Sequence, residues 1–305
     1  MTDSGSELIH VTDDGLSATI DPFGAQLMSL RLREGGELLW QGDPAFWPDR
    51  APLLFPVIGP MRDGQIRHAG ASYPMPAHGF ARQREFRVVE QSPATCTFEL
   101  RADAGTRTHY PFEFVVRATF ALSNDTLQVT IAVTNAGDAS MPADVGFHPG
   151  FVWPLVPGAT REGHAIVFER EEHAPIRRGV DDPIFLRPGA VPTPVAGRVL
   201  RLRDDLFREN AIVFDQLTSR ALTYGPLDQD GALRLRIAFP DSPYLAIWSR
   251  PGAGFVAIEP WHGLPSPVDF TGPLQEKPGI AVIAPGDSRR WRLQVTTARA
   301  REEAS

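Results

Sequence analysis

The sequence has a single cysteine, no long apolar run and no excess of positive charge, and each shortage excludes a class of protein. Cys96 has no partner for an intramolecular disulfide, which is compatible with a cytoplasmic protein. Its alternation with Phe98 and Leu100 predicts a small buried hydrophobe. No segment approaches the ~20 apolar residues that a membrane helix needs. Met1–Ser6 has neither the basic start nor the apolar stretch of a secretory signal.

The formal charge is −7, with 30 basic residues mixed among the acidic ones. This balance argues against nucleic acid and against an anionic membrane surface as partners. The sequence also lacks the G-x-S-x-G of many serine hydrolases, a glycine-rich phosphate loop, and the HxH or HExxH pair of many zinc sites. We therefore expect no cofactor and no catalytic metal.

Hydrophobic residues alternate with polar ones through much of the chain. Clear examples are 112–116, 127–133 and 291–295, and alternation of this kind predicts strands with one buried face. No long window has helical periodicity, and one-turn helices are expected only at 43–48 and 204–209. The sequence therefore predicts an all-β fold, a large antiparallel β-sandwich or barrel with only short helices. Further short strands are predicted at 16–20, 25–32, 86–91, 95–102, 211–217, 220–225, 232–239, 244–249, 254–259 and 280–284.

We expect one domain over residues 1–305. The stretch 154–210 is rich in Pro, Gly and charge and resembles a linker in composition. We interpret it as a long irregular excursion from one sheet, because a third candidate motif lies beyond it and has to return to the same site.

Three segments far apart in sequence each place an acid–base side chain beside Gly, Pro or an aromatic residue. They carry His78 (in Ala77–Arg82), His148 (in Gly146–Phe151) and Glu259 (in Ile258–Gly263). Two imidazoles and a carboxylate suffice for proton transfer near neutral pH. Each histidine alone is equally well explained as a structural residue, whereas a carboxylate ending an apolar strand is costly unless it is used. The combination favours proton transfer on a small polar ligand, with sugar as the leading candidate.

Two arginines near aromatic residues are candidates for holding substrate hydroxyls. Arg50 precedes the apolar Leu53–Pro56, and Arg82 follows His78 by four residues. A surface ion pair is the competing explanation for each of them.

The same motifs make the chain similar to the aldose 1-epimerase (galactose mutarotase-like) family, in its shorter bacterial branch. Phe23–Leu27, Arg50–Gly59, His78–Arg82, Gly146–Pro149 and Ile258–Trp261 resemble successive segments of that family over most of the chain. Their common order and spacing make the resemblance more specific than any one motif.

The resemblance implies a galactose mutarotase-like β-sandwich that interconverts the α and β anomers of free sugars without metal or nucleotide. By position, Glu259 matches the general base and His148 the general acid. His78 matches the second site histidine, which holds the substrate near the ring oxygen. Trp261 and Phe147 are expected to pack on the apolar face of the sugar. Monomer and homodimer both stay open.

The chain departs from the family at two substrate-binding positions. Pro60 follows Gly59 where the family often has Arg, and Arg50 or Arg62 are the candidates to replace that arginine. The family's substrate-binding Asp has no clear counterpart, and Asp205 is the nearest candidate. A sugar-phosphate 1-epimerase, with a phosphate site among Arg50, Arg62, Arg67, Arg82 and Arg84, and a non-catalytic carbohydrate-binding protein are the alternatives.

Overall fold

The fold is built almost entirely of strands. The structure, a computed structural model, describes residues 7–156, 158–180 and 183–299. Met1–Ser6, where the sequence predicts no secretory signal, lies outside the described residues. The strands are β1 (Ile9–Thr12), β2 (Leu16–Asp21), β3 (Gln26–Leu32), β4 (Leu53–Leu54), β5 (Gln65–His68), β6 (Ala71–Pro74), β7 (Arg87–Gln91), β8 (Thr95–Arg101), β9 (Phe114–Ser123), β10 (Thr126–Asn135), β11 (Met141–Ala143), β12 (Val145–Phe147), β13 (Gly150–Val152), β14 (His164–Phe168), β15 (Arg177–Val180), β16 (Phe185–Leu186), β17 (Val199–Arg201), β18 (Ile212–Phe214), β19 (Ala221–Pro226), β20 (Leu233–Ala238), β21 (Tyr244–Trp248), β22 (Phe255–His262), β23 (Ala281–Ile283) and β24 (Ser288–Arg299).

Helices are confined to single turns, as the sequence predicts. Within the described ranges there is one α-helix, α1 (Ala104–Arg107), and none of the helices there is long and apolar enough to cross a membrane. The turn expected at 204–209 is the 3₁₀ helix Asp204–Phe207, whereas 43–48 forms only a hydrogen-bonded turn around Asp43. The other 3₁₀ helices are Arg62–Gly64, Ala81–Gln83, Arg161–Gly163 and Leu274–Glu276.

Two large sheets form the sandwich. The nine-stranded sheet has the order β17-β14-β19-β20-β24-β10-β9-β8-β7, and the eight-stranded sheet has the order β16-β15-β18-β21-β22-β12-β4, with β13 also paired to β22. Every pairing between strands is antiparallel. The predicted all-β antiparallel sandwich is therefore confirmed. The prediction of one domain over 1–305 extends beyond the described residues and stays a prediction.

Alternation along the strands decides which side chains form the core between the sheets. In β10, Leu127, Val129 and Ile131 are buried and face the same way, and they register with Val295, Leu293 and Trp291 of β24. Apolar side chains on the inner faces of both sheets join one large buried cluster. Burying such rows of Val, Leu, Ile and Phe side chains contributes about 1.5–3 kcal/mol each and provides most of the drive to fold.

The stretch 154–210 is more regular than the sequence predicts. It supplies β14 and β17 to the edge of the nine-stranded sheet and β15 and β16 to the edge of the eight-stranded sheet. These strands have only two to five residues and are separated by Pro and Gly, so the turns dominate the local composition. The expectation of an irregular excursion from one sheet is therefore wrong, because the stretch adds strands to one edge of both sheets.

Candidate active site

A cleft of about 390 Å³ opens on the outer face of the eight-stranded sheet. The inner face of this sheet is buried against the nine-stranded sheet, so only the outer face is free to carry a site. The cleft brings His78, His148 and Glu259 together, and with them Arg82 and Trp261. Its other lining residues are Trp47, Pro48, Asp49, Pro52, Pro76, Ala77, Gln83, Pro183, Ile184, Asn210, Ala211, Trp248 and Arg250.

Glu259 reaches the cleft because of its place in β22. Val256 and Ile258 of this strand point into the main core, so Glu259 and Trp261 point to the opposite face. Opposite Glu259 in the neighbouring strand is Ala246, whose small side chain leaves the carboxylate open to the cleft. Glu259 is only 2% exposed. A carboxylate is thus held at the floor of the cleft by a rigid, fully paired strand.

His148 follows β12 directly and meets Glu259 across the sheet. Its Nε2 lies 3.1 Å from Oε2 of Glu259. Its ring stacks on Trp47, with centroids 4.8 Å apart, and stands edge-on to Trp248 at 5.9 Å. Nδ1 of His148 is buried without a hydrogen-bond partner among the described residues. Two indoles and a carboxylate therefore fix the imidazole in one orientation.

His78 is placed by an unusual backbone turn. Its φ is +63°, and the φ of the following Gly79 is +75°. The backbone N–H of Gly59 donates to Nδ1 of His78 at 3.2 Å. Since Nδ1 accepts, the proton of the neutral ring lies on Nε2, which is left to donate. The rings of His78 and His148 are 5.9 Å apart.

Gly79 gives this turn a testable stability requirement. A Cβ on Gly79 would lie 2.0 Å from the carbonyl oxygen of Phe55, whereas a Cβ on Gly70, at φ +80°, would meet nothing within 4 Å. Gly70→Ala should cost only the left-handed strain of about 1–2 kcal/mol. Gly79→Ala should cost more than about 3 kcal/mol in unfolding free energy, because backbone has to shift. Urea denaturation of both variants measures the difference, and equal losses would contradict the close approach.

Burial dominates the electrostatics of the three groups. It raises the pKa of Glu259 well above its ordinary value, with the neighbouring Trp261 indole acting in the opposite direction. Burial, and after it the charge of Arg82, lowers the pKa of His78 to about 3. Burial, followed by His78, lowers the pKa of His148 well below its ordinary value. Burial therefore favours the uncharged form of each group, a protonated Glu259 and neutral imidazoles at His148 and His78, and the contacting His148–Glu259 pair titrates as a unit.

Arg82 and Asp49 form the polar wall of the cleft. Nη1 of Arg82 donates to Oδ2 of Asp49 at 2.7 Å, and Nε of Arg82 is buried without a partner among the described residues. Trp261 Nε1 is also a buried donor that makes no hydrogen bond of normal geometry there. Both N–H groups thus lack the hydrogen bond that a buried donor ordinarily makes.

Three of the predicted substrate-binding residues lie outside the lining of the cleft. Phe147 belongs to the core between the sheets, because adjacent residues of a strand point to opposite faces and His148 takes the cleft side. The guanidinium of Arg50 donates to the carbonyl of Met28 and the side chain of Gln41. Asp205 is paired with Arg203 at 2.7 Å on the 3₁₀ helix after β17.

The other candidate arginines, Arg62, Arg67 and Arg84, also lie outside the lining of the cleft. Arg62 donates to the carbonyl of Val268, and Arg67 donates to that of Thr271 and to Asp63. Neither lines the cleft, and Arg84 does not line it either. Of the five arginines proposed for a phosphate site, the cleft contains Arg82 alone.

Sequence reasoning missed several residues that line the cleft: Trp47, Asp49, Asn210, Trp248 and Arg250. For Trp47 and Asp49 a signal exists, because Phe46-Trp47-Pro48-Asp49 combines aromatics, a proline and a carboxylate in a loop. The signal for Trp248 is weaker, since an aromatic residue ending a strand is equally typical of a core. Asn210 and Arg250 come from turns and have no local signature.

No group of three His, Cys, Asp or Glu side chains in the described part of the chain is arranged to hold a metal ion. His148 and Glu259 contact each other directly, and Nδ1 of His78 already accepts a backbone hydrogen bond. The chemistry available to these residues themselves is the transfer of protons.

An antiparallel sandwich with this acid–base cleft has the architecture of the galactose mutarotase-like proteins. The chain belongs to the aldose 1-epimerase family, whose model matches residues 7–265. The resemblance seen in the sequence motifs is thereby confirmed.

The similarity between this chain and individual relatives extends over nearly its whole length. A galactose mutarotase-like protein from Lactobacillus casei is 30% identical, with a TM-score of 0.88 over 96% of this chain and 100% of that one. A galactose mutarotase related enzyme from Lactobacillus acidophilus is 27% identical, with a TM-score of 0.87 over 98% and 100% of the two chains. Protein LacX (plasmid) from Lactococcus lactis subsp. lactis is 29% identical over 94% of this chain and 98% of that protein.

Proposed function

We propose that the protein is an aldose 1-epimerase that interconverts the α and β anomers of a free hexose. The observation that carries this proposal is the 3.1 Å contact between His148 Nε2 and Glu259 Oε2 at the floor of the cleft. Mutarotation moves one proton at the anomeric hydroxyl and one at the ring oxygen. Both oxygens are bonded to the same carbon, so the acid and the base have to be neighbours.

In the proposed mechanism a sugar enters between the two groups and replaces their mutual contact, and the proton of the pair passes from Glu259 to His148, which leaves Glu259 ionised as the base. Glu259 takes the proton of the anomeric hydroxyl, and His148 gives a proton to the ring oxygen as its bond to C1 breaks. The free aldehyde turns about its bond to the next carbon, and the ring closes on its other face with both transfers reversed. The pair returns its shared proton, so the enzyme is unchanged after each cycle.

His78 acts as a neutral hydrogen-bond donor in this scheme. Its Nδ1 is occupied by the Gly59 N–H, so Nε2–H is available to hold the substrate near the ring oxygen. Trp261, Trp47 and Trp248 line the same cleft and offer flat apolar surfaces for the sugar ring. We propose Arg82 and Trp261 as substrate-binding residues, because each has a buried N–H without a partner of normal geometry.

We also propose a cytoplasmic setting, with a small sugar as the ligand and neither nucleic acid nor a membrane as a partner. The buried, unpaired Cys96 and the net charge of −7 support this setting.

The direct test is polarimetry on freshly dissolved α-D-glucose, α-D-galactose and glucose 6-phosphate. We expect faster relaxation of at least one free hexose than in buffer alone. A sugar-phosphate 1-epimerase is the second candidate, because Arg82 and Arg250 both line the cleft, and it predicts acceleration of glucose 6-phosphate alone. Binding of sugar without acceleration of any of the three would instead indicate a carbohydrate-binding protein.

The pH dependence should be a broad plateau around neutral pH. The lowered pKa of His148 moves the acid limb, where the pair gains a second proton, below 6.5. The raised pKa of Glu259 moves the alkaline limb, where the shared proton is lost, far above 4.5. Both limbs belong to the coupled pair. Measuring kcat/KM from about pH 4 to about pH 10 checks this, and a narrow optimum between the two ordinary values would contradict it.

A further inference from the structure

A buried ion pair lies outside the lining of the cleft. Lys277, the only lysine of the sequence, contacts the carboxylate of Asp144, and both side chains are 0% exposed. The ammonium also donates to the carbonyl of Leu264. A pair of this kind loses the solvation of two charges, so stability alone is a weak reason for it. The contacts of Asp144 on its other side indicate what the pair does.

Asp144 is hydrogen-bonded to the segment that follows β4, residues 56–60. Its Oδ2 accepts the backbone N–H of Ile58 at 3.0 Å, and its own N–H donates to the carbonyl of Pro56 at 2.8 Å. Residues 56–60 belong to no strand, so no ladder of sheet hydrogen bonds holds them. The side chain and backbone of Asp144 supply this support from the start of β12.

The same segment contains the backbone amide that orients the ring of His78. Gly59, next to Ile58, donates its N–H to Nδ1 of His78 and accepts the N–H of His78 at 2.9 Å. The path from Lys277 to His78 thus runs through one carboxylate and two consecutive backbone amides. Space around Asp144 is tight, since a Cβ on Gly263 would lie 2.2 Å from its Oδ1. Asp144 has little freedom to move away from Ile58.

We propose that Asp144, held by Lys277, is a positioning residue that keeps the Gly59 amide on Nδ1 of His78 and so fixes the Nε2–H form of that ring. The role assigned to the ring rests on the proposed function. The tautomer of His78 and the geometry that fixes it do not depend on that function, and both can be measured without turnover.

Two double variants separate positioning from stability. Lys277→Met with Asp144→Asn removes both charges and keeps an oxygen acceptor for the Ile58 N–H. Lys277→Met with Asp144→Leu also removes both charges, at similar volume, and leaves no acceptor. The first readout is the tautomer of His78 from its ring ¹⁵N chemical shifts, assigned with His78→Asn. The second is kcat and KM for whichever sugar the wild-type protein accelerates.

The Asn variant should keep the Nε2–H tautomer and a kcat within about 3-fold of wild type, since the acceptor remains. The Leu variant should show a mixed tautomer and a kcat lower by about 10-fold or more, because a small displacement of a site residue has effects of this size. This difference should vanish in a His78→Asn background. Identical tautomers in the two variants, equal kcat values, or a difference that persists without His78 would overturn the proposal.

If the Leu variant does not fold, Lys277→Met alone decides the question. Without its cation, Asp144 takes up a proton as the pH falls and becomes a weaker acceptor for Ile58. The His78 ring signals should then follow the Asp144 titration, and signals that stay constant through it would overturn the proposal. The tautomer readouts need no turnover, so they remain decisive even if the wild-type protein accelerates none of the sugars.

Discussion

Glu259→Gln should lower kcat for mutarotation by about 10²-fold or more, with a modest change in KM. The amide keeps the shape of the carboxylate and most of its hydrogen bonds, but it cannot accept the anomeric proton. The same substitution should also change stability. Because burial raises the pKa of Glu259, ionising this carboxyl costs more free energy in the folded protein than in the unfolded chain.

The sign of this stability effect follows from the raised pKa. The wild-type protein loses stability as pH rises from the unfolded pKa through the folded one, and the Gln variant does not. We therefore expect the Tm of Glu259→Gln to equal or exceed that of wild type at alkaline pH, a trade-off typical of catalytic groups. Calorimetry at acidic and alkaline pH, together with polarimetry, measures both effects.

A matched control for Glu259 lies outside the cleft. Glu172 is also 2% exposed, and its carboxylate accepts the backbone N–H groups of Thr218 and Ser219. Glu172→Gln should lower stability and leave kcat unchanged. An unchanged kcat in folded Glu259→Gln would mean instead that Glu259 is structural.

His148→Asn should remove most of the activity, by about 10²-fold or more, because it removes the imidazole that contacts Glu259 and gives the proton to the ring oxygen. The alkaline limb of the pH profile should disappear with it, since that limb reports loss of the proton that His148 gives, whereas the acid limb stays because Glu259 has to be ionised to act as base. His164→Asn is the control. His164 is 1% exposed, is hydrogen-bonded to the backbone of Leu155 and Thr160, and does not line the cleft. The His164→Asn substitution should lower stability and leave kcat unchanged.

A profile of His148→Asn that keeps both limbs would show that another group gives the proton to the ring oxygen. Activity equal to that of His164→Asn would remove His148 from the mechanism altogether. Both results come from the same polarimetric assay, provided that circular dichroism shows both variants to be folded.

The sequence predicts the strands, and it singles out three acid–base residues that meet in one cleft, because both depend on local rules. Alternation in β9, β10 and β24 follows from burying one face of each strand, and a carboxylate ending the apolar β22 stands out against its neighbours. The placement of Phe147 was predictable by the same rule: it precedes His148 in the chain, so the two cannot share a face.

Long-range placement is the part that local patterns do not contain. Arg50 and Asp205 sit beside aromatic residues, yet their charges are used by Met28, Gln41 and Arg203. Asn210 and Arg250 reach the cleft from turns whose sequence is ordinary. Which arginine faces a cleft depends on how separate loops meet, and one sequence carries no direct signal for that.

The burial of Lys277 has a practical consequence for following the opening of this protein. Because it is the only lysine and is 0% exposed, amine-acylating reagents reach no lysine side chain in the folded chain. Acylation at this one position requires that the loop after Leu274–Glu276 detach from Asp144 and Leu264. The rate of that single modification, followed by mass spectrometry at increasing reagent concentration, therefore measures how often the contacts of Lys277 with Asp144 and Leu264 open to solvent.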